Sequence, residues 1–170
     1  HLFPVFLKLE EMRVLLVGGG NVALEKLNAV LRNSPRTEIR VVGTVINEAI
    51  KQLAEEHPTI QLVERPFEDN DLHEAAIVII AINDKKRSEQ IRNTAKAAGK
   101  LVNAADKPEL CDFYLSSVVQ KGNVKIAIST NGKSPTIAKR VKEVLNETFP
   151  HEMDEVLDNM ERIRNTLVGD

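Results

Sequence analysis

Tryptophan is absent from this chain of 170 residues, and tyrosine and cysteine each occur once. With Cys111 as the lone cysteine, neither an intrachain disulfide nor a thiolate metal cluster can form. His57, His73 and His151 stand isolated, without the i, i+4 spacing of a helical metal pair, and read as surface residues rather than ligands. No metal site is expected. No apolar run approaches the roughly 20 residues needed to cross a bilayer, and no signal-peptide pattern opens the chain, so a cytoplasmic protein without a membrane partner is expected. The formal charge is only −2, and Lys85-Lys86-Arg87 and Lys139-Arg140 read as solvated helix faces. With so few aromatic residues, nothing points to nucleic acid. Internal repeats and low-complexity segments are also lacking. The start at His1, without methionine, reads as a trimmed N-terminus.

What is present is concentrated in Arg13 to Ala23, Arg-Val-Leu-Leu-Val-Gly-Gly-Gly-Asn-Val-Ala. Arg13 to Val17 is β-branched and leucine-rich without polar alternation, as suits a parallel strand buried on both faces. Gly18, Gly20 and Ala23 then keep the G-x-G-x-x-G/A spacing. Gly18 allows a tight turn, Gly20 lets backbone approach a pyrophosphate, and Ala23 lets the following helix pack closely on the strand. That helix, from about Val22 to Leu31 with Leu24, Leu27, Val30 and Leu31 as its apolar stripe, would direct its unpaired N–H groups at the phosphates. The competing reading is an ordinary glycine turn. The acid that often ends the second strand and binds the ribose is missing, because Val41-Val42-Gly43-Thr44-Val45 contains none. With Arg36 and Arg40 nearby in sequence, the choice between NAD and NADP stays open.

The beat then repeats. Strands are expected at Glu38 to Val42, Ile60 to Glu64, Ile77 to Ala81 and Leu101 to Asn103, with helices at Ile46 to Glu56 and Lys85 to Ala98. This alternation predicts an α/β fold, a Rossmann-like doubly wound parallel sheet, over residues 1–112. Its ligand edge would be the row of strand C-termini, including Gly18 to Val22, Gly43 to Val45, Ala81 to Asp84 and Asn103 to Asp106. Residues 113–149 read as a small α+β region. Strands at Phe113 to Val119 and Val124 to Ser129 flank a turn at Gln120-Lys121-Gly122-Asn123, and a helix is capped by Ser134-Pro135, with Ile137, Val141, Val144 and Leu145 on one face. A lone hairpin is marginal in water, so a partner is needed, a second copy of the chain being the obvious one. Residues 150–170 read as the start of a helical C-terminal region carrying Met153, Val156, Leu157, Met160 and Ile163 on one side.

Two clusters carry candidate chemistry. Asp106, just past the last strand, could accept a proton from a substrate while hydride leaves for a nicotinamide, or could simply open a turn before Lys107-Pro108. The segment from Ser129 to Pro135 offers hydroxyls, a glycine and Lys133 ahead of a helix, suited to carboxylates or phosphates, or else forms a capped loop. It is not a P-loop, because Ala127 stands where the first glycine would be.

Five segments together resemble the precorrin-2 dehydrogenase family, which includes the N-terminal part of sirohaem synthases. They are Phe3 to Leu9, Val17 to Ala23 with Lys26, Val102 to Asp106, Glu109 to Phe113, and Ile126 to Pro135. The resemblance implies NAD-dependent oxidation of precorrin-2 to sirohydrochlorin, and in some members ferrochelation with Fe2+. It also implies a homodimer interlocked through the hairpin region, with the active site in the cleft between nucleotide and dimerisation domains. Asp106 falls on the family's catalytic aspartate. Asn21, Val22, Thr44 and Val45 fall on its cofactor contacts, joined at the strand ends by Gly18, Gly20, Ala23 and Ala81. Substrate contacts are expected from Asn103, Ser129, Thr130 and Lys133, Thr130 standing where relatives carry a serine. The chain departs from the family at Ile82, where relatives tend to have threonine, and at Ser116, where proline is usual. It also stops at Asp170, without a methyltransferase domain. Two further readings are an NAD-binding regulatory module without catalysis and a chelatase alone.

Overall fold

The computed structural model of the chain describes residues 2–150 and 153–168. Residues 3–114 form one compact unit and the described residues from 115 onward belong to another. In the first unit the strands are β1 (Arg13–Val17), β2 (Glu38–Gly43), β3 (Ile60–Glu64), β4 (Ile77–Ile80) and β5 (Leu101–Ala104), all parallel, in the order β3-β2-β1-β4-β5. The helices are α1 (Asn21–Asn33), α2 (Glu48–Glu56) and α3 (Lys85–Ala97). Strand order reverses between β1 and β4, so the crevice at their C-terminal ends is the expected ligand position of such a sheet.

Alternation along the strands builds two cores. Val14, Leu16, Ile39, Val41, Ile77 and Ile79 turn to one face, where α1 contributes Ala23, Leu27 and Val30 and α2 contributes Ile50. Leu15, Val17, Val42, Val78 and Ile80 turn to the other, covered by Ile91 and Ala95 of α3 together with Phe67 and Leu72. Strands buried on both faces explain why β1 and β4 read as unbroken apolar runs. The helix expected from Ile46 begins only at Glu48, because Asn47 caps it, its side chain accepting from the Ile50 N–H at 3.0 Å.

The connection from β3 to β4 contains only a short 3-10 turn, Asp69–Leu72. An ion pair holds it. Arg65 donates Nη1 to Asp71 Oδ2 at 2.9 Å and Nη2 to Oδ1 at 2.7 Å, and the Glu68 N–H adds 3.0 Å to Oδ2. Burial opposes ionisation of Asp71, yet the Arg65 hydrogen bonds, the Glu68 N–H and the Arg40 charge hold its carboxyl below the ordinary carboxylate range. A depressed folded pKa gives stability that is present above the unfolded value of about 3.9 and is lost as pH falls below it. Urea midpoints should therefore fall on acidification for the parent protein and less steeply for Asp71→Asn. Equal acid sensitivity of the two proteins would refute this role.

In the second unit, β6 (Ser117–Lys121) and β7 (Val124–Ile128) form an antiparallel pair, followed by α4 (Pro135–Thr148) and α5 (Met153–Val168). The turn is tighter than expected. Lys121 pairs with Val124, leaving only Gly122 and Asn123, with Gly122 at φ +53 as the first residue of a two-residue hairpin turn requires. The first strand also starts later than Phe113, because that residue packs into the core of the nucleotide-fold unit. α4 covers the hairpin, with Val119 and Ala138 buried. Of the apolar face read from the sequence, Ile137, Val141 and Val144 stay exposed and Leu145 is half-buried. Val156, Met160 and Ile163 of α5 are exposed too. His151 and the side chain of Met153, read above as part of this helical region, lie outside the described residues.

Candidate active site

β1 ends in three glycines that differ in what they are for. A Cβ on Gly18 would lie 2.3 Å from the Ala81 carbonyl oxygen, and its φ is +126, so only glycine closes this turn against β4. A Cβ on Gly19 would meet the Val45 carbonyl oxygen at 2.1 Å, because the loop after β2 lies directly on the bend. The Asn47 N–H donates to the Gly19 carbonyl at 2.9 Å and fastens the two segments. Gly43 belongs to the same contact, its Cβ position lying 3.0 Å from the Gly19 nitrogen. At Gly20 the space around a Cβ is open.

Gly20 is also the N-cap of α1, without a side-chain cap and without an acidic residue in the first turn. By contrast, α2 is capped by Asn47 and α3 by Asp84. The first N–H groups of α1 therefore receive no side-chain cap and lie beside bare Gly20 backbone, a fitting cradle for a pyrophosphate. Around it, Ala23 is fully buried against the sheet, while Asn21, Thr44 and Val45 are exposed, Val45 at 73%. Val22 is half-buried, and Ala81 forms the wall behind Gly18. A dinucleotide fits this edge on the donor set alone: backbone N–H groups for phosphate, and an exposed valine against which a flat base can lie.

Asp106 follows β5 on the same edge. Its backbone sits at φ +58, in a turn closed by the Lys107 N–H to the Ala104 carbonyl at 3.2 Å. Aspartate tolerates this left-handed conformation better than most residues, as the turn reading expects. The side chain is exposed and pairs with no group among the described residues. Lys107 reaches back to the Ile82 carbonyl at 3.2 Å and bridges the ends of β4 and β5.

A dense brace lies beneath this turn. The Cys111 thiol accepts from the Ala104 N–H at 3.2 Å and donates to the Ala104 carbonyl at 3.2 Å. Burial pushes that thiol up, which suits a packing role rather than a reactive one. Asp112 accepts from the Val102 N–H at 2.9 Å and from Lys96 at 2.6 Å. Although burial opposes it, the Lys96 and Val102 hydrogen bonds hold its carboxyl below the ordinary range. Asn103 takes part in the same brace. It is 5% exposed, and its amide donates to the Phe113 carbonyl at 2.8 Å and to the Cys111 sulfur at 3.7 Å.

In the second unit, Ser134 caps α4 as expected, accepting from the Ile137 N–H at 3.2 Å. Thr130 is tied to the same residue. Its hydroxyl accepts from the Ser134 N–H at 3.0 Å and donates to the Ser134 carbonyl at 3.1 Å, so it braces the loop. Ser129 and Lys133 are exposed, with Asn131 between them at φ +53. A cavity of about 410 Å3 opens at the opposite, N-terminal edge of the sheet, but Arg13 there already pairs with Glu38 at 2.8 Å and Glu74 at 2.7 Å. Sequence reasoning missed Gly19, Gly43, Asn47 and Lys107. The run of three glycines was the available signal for the first.

A family described as "Putative NAD(P)-binding" matches residues 5–117, and one described as "Sirohaem biosynthesis protein central" matches residues 121–147. The chain is 31% identical to a sirohaem synthase of Nitrosomonas europaea over 164 residues, 96% of this chain and 34% of that protein. It is 34% identical to the sirohaem synthase of Nitrosococcus oceani over 147 residues, 86% of this chain and 31% of that one. The chain thus spans about a third of the length of these relatives. Its fold is that of the solved structure of SirC, a precorrin-2 dehydrogenase, with a TM-score of 0.74 at 24% identity, covering 96% of this chain and 79% of that one.

Proposed function

The chain belongs to a family of putative NAD(P)-binding proteins, and on that premise we propose that it oxidises precorrin-2 to sirohydrochlorin with NAD. One observation carries this reading: the uncapped N-terminus of α1 behind bare Gly20 backbone, on the same sheet edge as the exposed Asp106 carboxylate. Bound at that edge, the nicotinamide would supply the acceptor for hydride. The chain's own residues do the rest. Gly20, Asn21 and Val22 present N–H groups to the pyrophosphate, while Thr44 and Val45 flank the adenosine end. Asp106 takes the proton that the macrocycle loses, from a turn that follows the strand end braced by Cys111 and Asn103. Ser129 and Lys133 are proposed to hold substrate carboxylates, with Thr130 fixing their loop.

The purified chain, precorrin-2 and NAD should give sirohydrochlorin and NADH in equal amounts. Nucleotide binding with neither product formed would favour the regulatory reading instead. Insertion of Fe2+ by Asp106 remains part of the proposal, tested by adding the metal with and without NAD.

The partner is proposed to be a second copy. The exposed stripe of Ile137, Val141 and Val144 and the unpaired edges of the two-stranded sheet support it. Sedimentation should report a dimer, and Val141→Glu should shift it towards monomer without unfolding the nucleotide-binding unit. A monomeric parent protein would refute the assembly.

A further inference from the structure

The acid missing from the end of β2 has a counterpart one strand over. Glu64, the last residue of β3, pairs in register with Gly43, the last residue of β2. Neighbouring strands lie about 4.8 Å apart, so its backbone is one strand spacing from the position where a ribose-binding acid normally sits. Parity puts the two residues on the same face, the one carrying α1 and α2, since Ile60 and Leu62 of β3 belong to that core. The Glu64 side chain then turns into the loop after β2, where Oε1 accepts from the Ile46 N–H at 3.2 Å. Oε2 is left 3.7 Å from Lys51 Nζ, and half of the side chain is exposed. This is the same loop whose Thr44 and Val45 flank the glycine bend.

The basic residues that could welcome a 2′-phosphate are elsewhere. Arg40 lies three residues before Gly43 on β2, about 10 Å along the strand, and lines the cavity at the opposite edge of the sheet. Arg36 is bound to Glu10 at 2.7 Å. Lys51 does reach this corner, but there it faces the Glu64 carboxylate.

Building on the dinucleotide reading above, we infer that Glu64 sets cofactor choice: its carboxylate shapes the adenosine-ribose corner and disfavours a ribose carrying a 2′-phosphate. Two roles are combined in it. As a hydrogen-bond acceptor it fixes the 44–46 loop, and as a negative charge it repels the phosphate of NADP.

The variants Glu64→Gln and Glu64→Ala separate these roles, with dissociation constants for NAD and NADP measured on the protein without substrate. The parent protein should prefer NAD. Glu64→Gln retains an acceptor oxygen for the Ile46 N–H but loses the charge, so NAD affinity should hold while the preference over NADP narrows about tenfold. That narrowing should be largest at low ionic strength, because a charge acting at a protein surface is screened by salt. Glu64→Ala should also speed hydrogen exchange at the Ile46 amide and weaken both nucleotides. A parent protein that binds both nucleotides equally, or an unchanged preference in Glu64→Gln, overturns the inference. Failure of the parent protein to bind either nucleotide would instead overturn the dinucleotide reading itself.

Discussion

Replacing Asp106 with asparagine is expected to lower precorrin-2 turnover about a hundredfold or more, the usual scale for losing a positioned general base. NAD affinity and thermal stability should stay near those of the parent protein. Asparagine is the informative substitution because Asp106 sits at φ +58, a conformation that asparagine adopts readily. Alanine would add a backbone cost of roughly 1–2 kcal/mol at the same position, confusing lost chemistry with lost structure. Parent-like turnover in Asp106→Asn would reduce the residue to its turn role, and the proton acceptor would have to be sought elsewhere.

The second large effect separates the three glycines of the bend. Gly19→Ala places a Cβ 2.1 Å from the Val45 carbonyl oxygen, backbone against backbone with no flexible side chain to yield. Destabilisation of about 3 kcal/mol or more is expected. Gly18→Ala should do the same, through the Ala81 carbonyl and its φ of +126. Gly20→Ala should do the opposite. Its φ is −91 and nothing lies within 4 Å of the added methyl, so the fold should persist while NAD affinity falls about tenfold or more. Chemical denaturation and nucleotide titration, run on all three variants, check the set. Parent-like NAD binding in Gly20→Ala would show that no phosphate lies against that backbone.

Much of the nucleotide-binding fold was legible because its strands are buried on both faces and its helices on one. β1 and β3 lie at their expected residues, and the glycine spacing marks the start of α1 within one residue. What misled was a residue's use by a distant part of the chain. Phe113 carries a strand-like pattern, but its side chain is taken by the core of the first unit and its carbonyl by Asn103. Asn103 stands at a strand end, as a ligand residue would, yet its amide is consumed internally. Thr130 is likewise spent on Ser134. Gly19 is the variable position of the nucleotide-binding fingerprint, and only the loop laid over it reveals why no side chain fits. The apolar pattern of α4 marks the helix, while the residue it buries, Ala138, stands outside that pattern.

Crystallising the chain with NAD tests the account most directly. The pyrophosphate is predicted within hydrogen-bond distance of the backbone N–H groups at the start of α1, against Gly20, with the nicotinamide directed along the sheet edge towards Asp106. A nucleotide bound away from that bend, or one whose nicotinamide points away from Asp106, would contradict it.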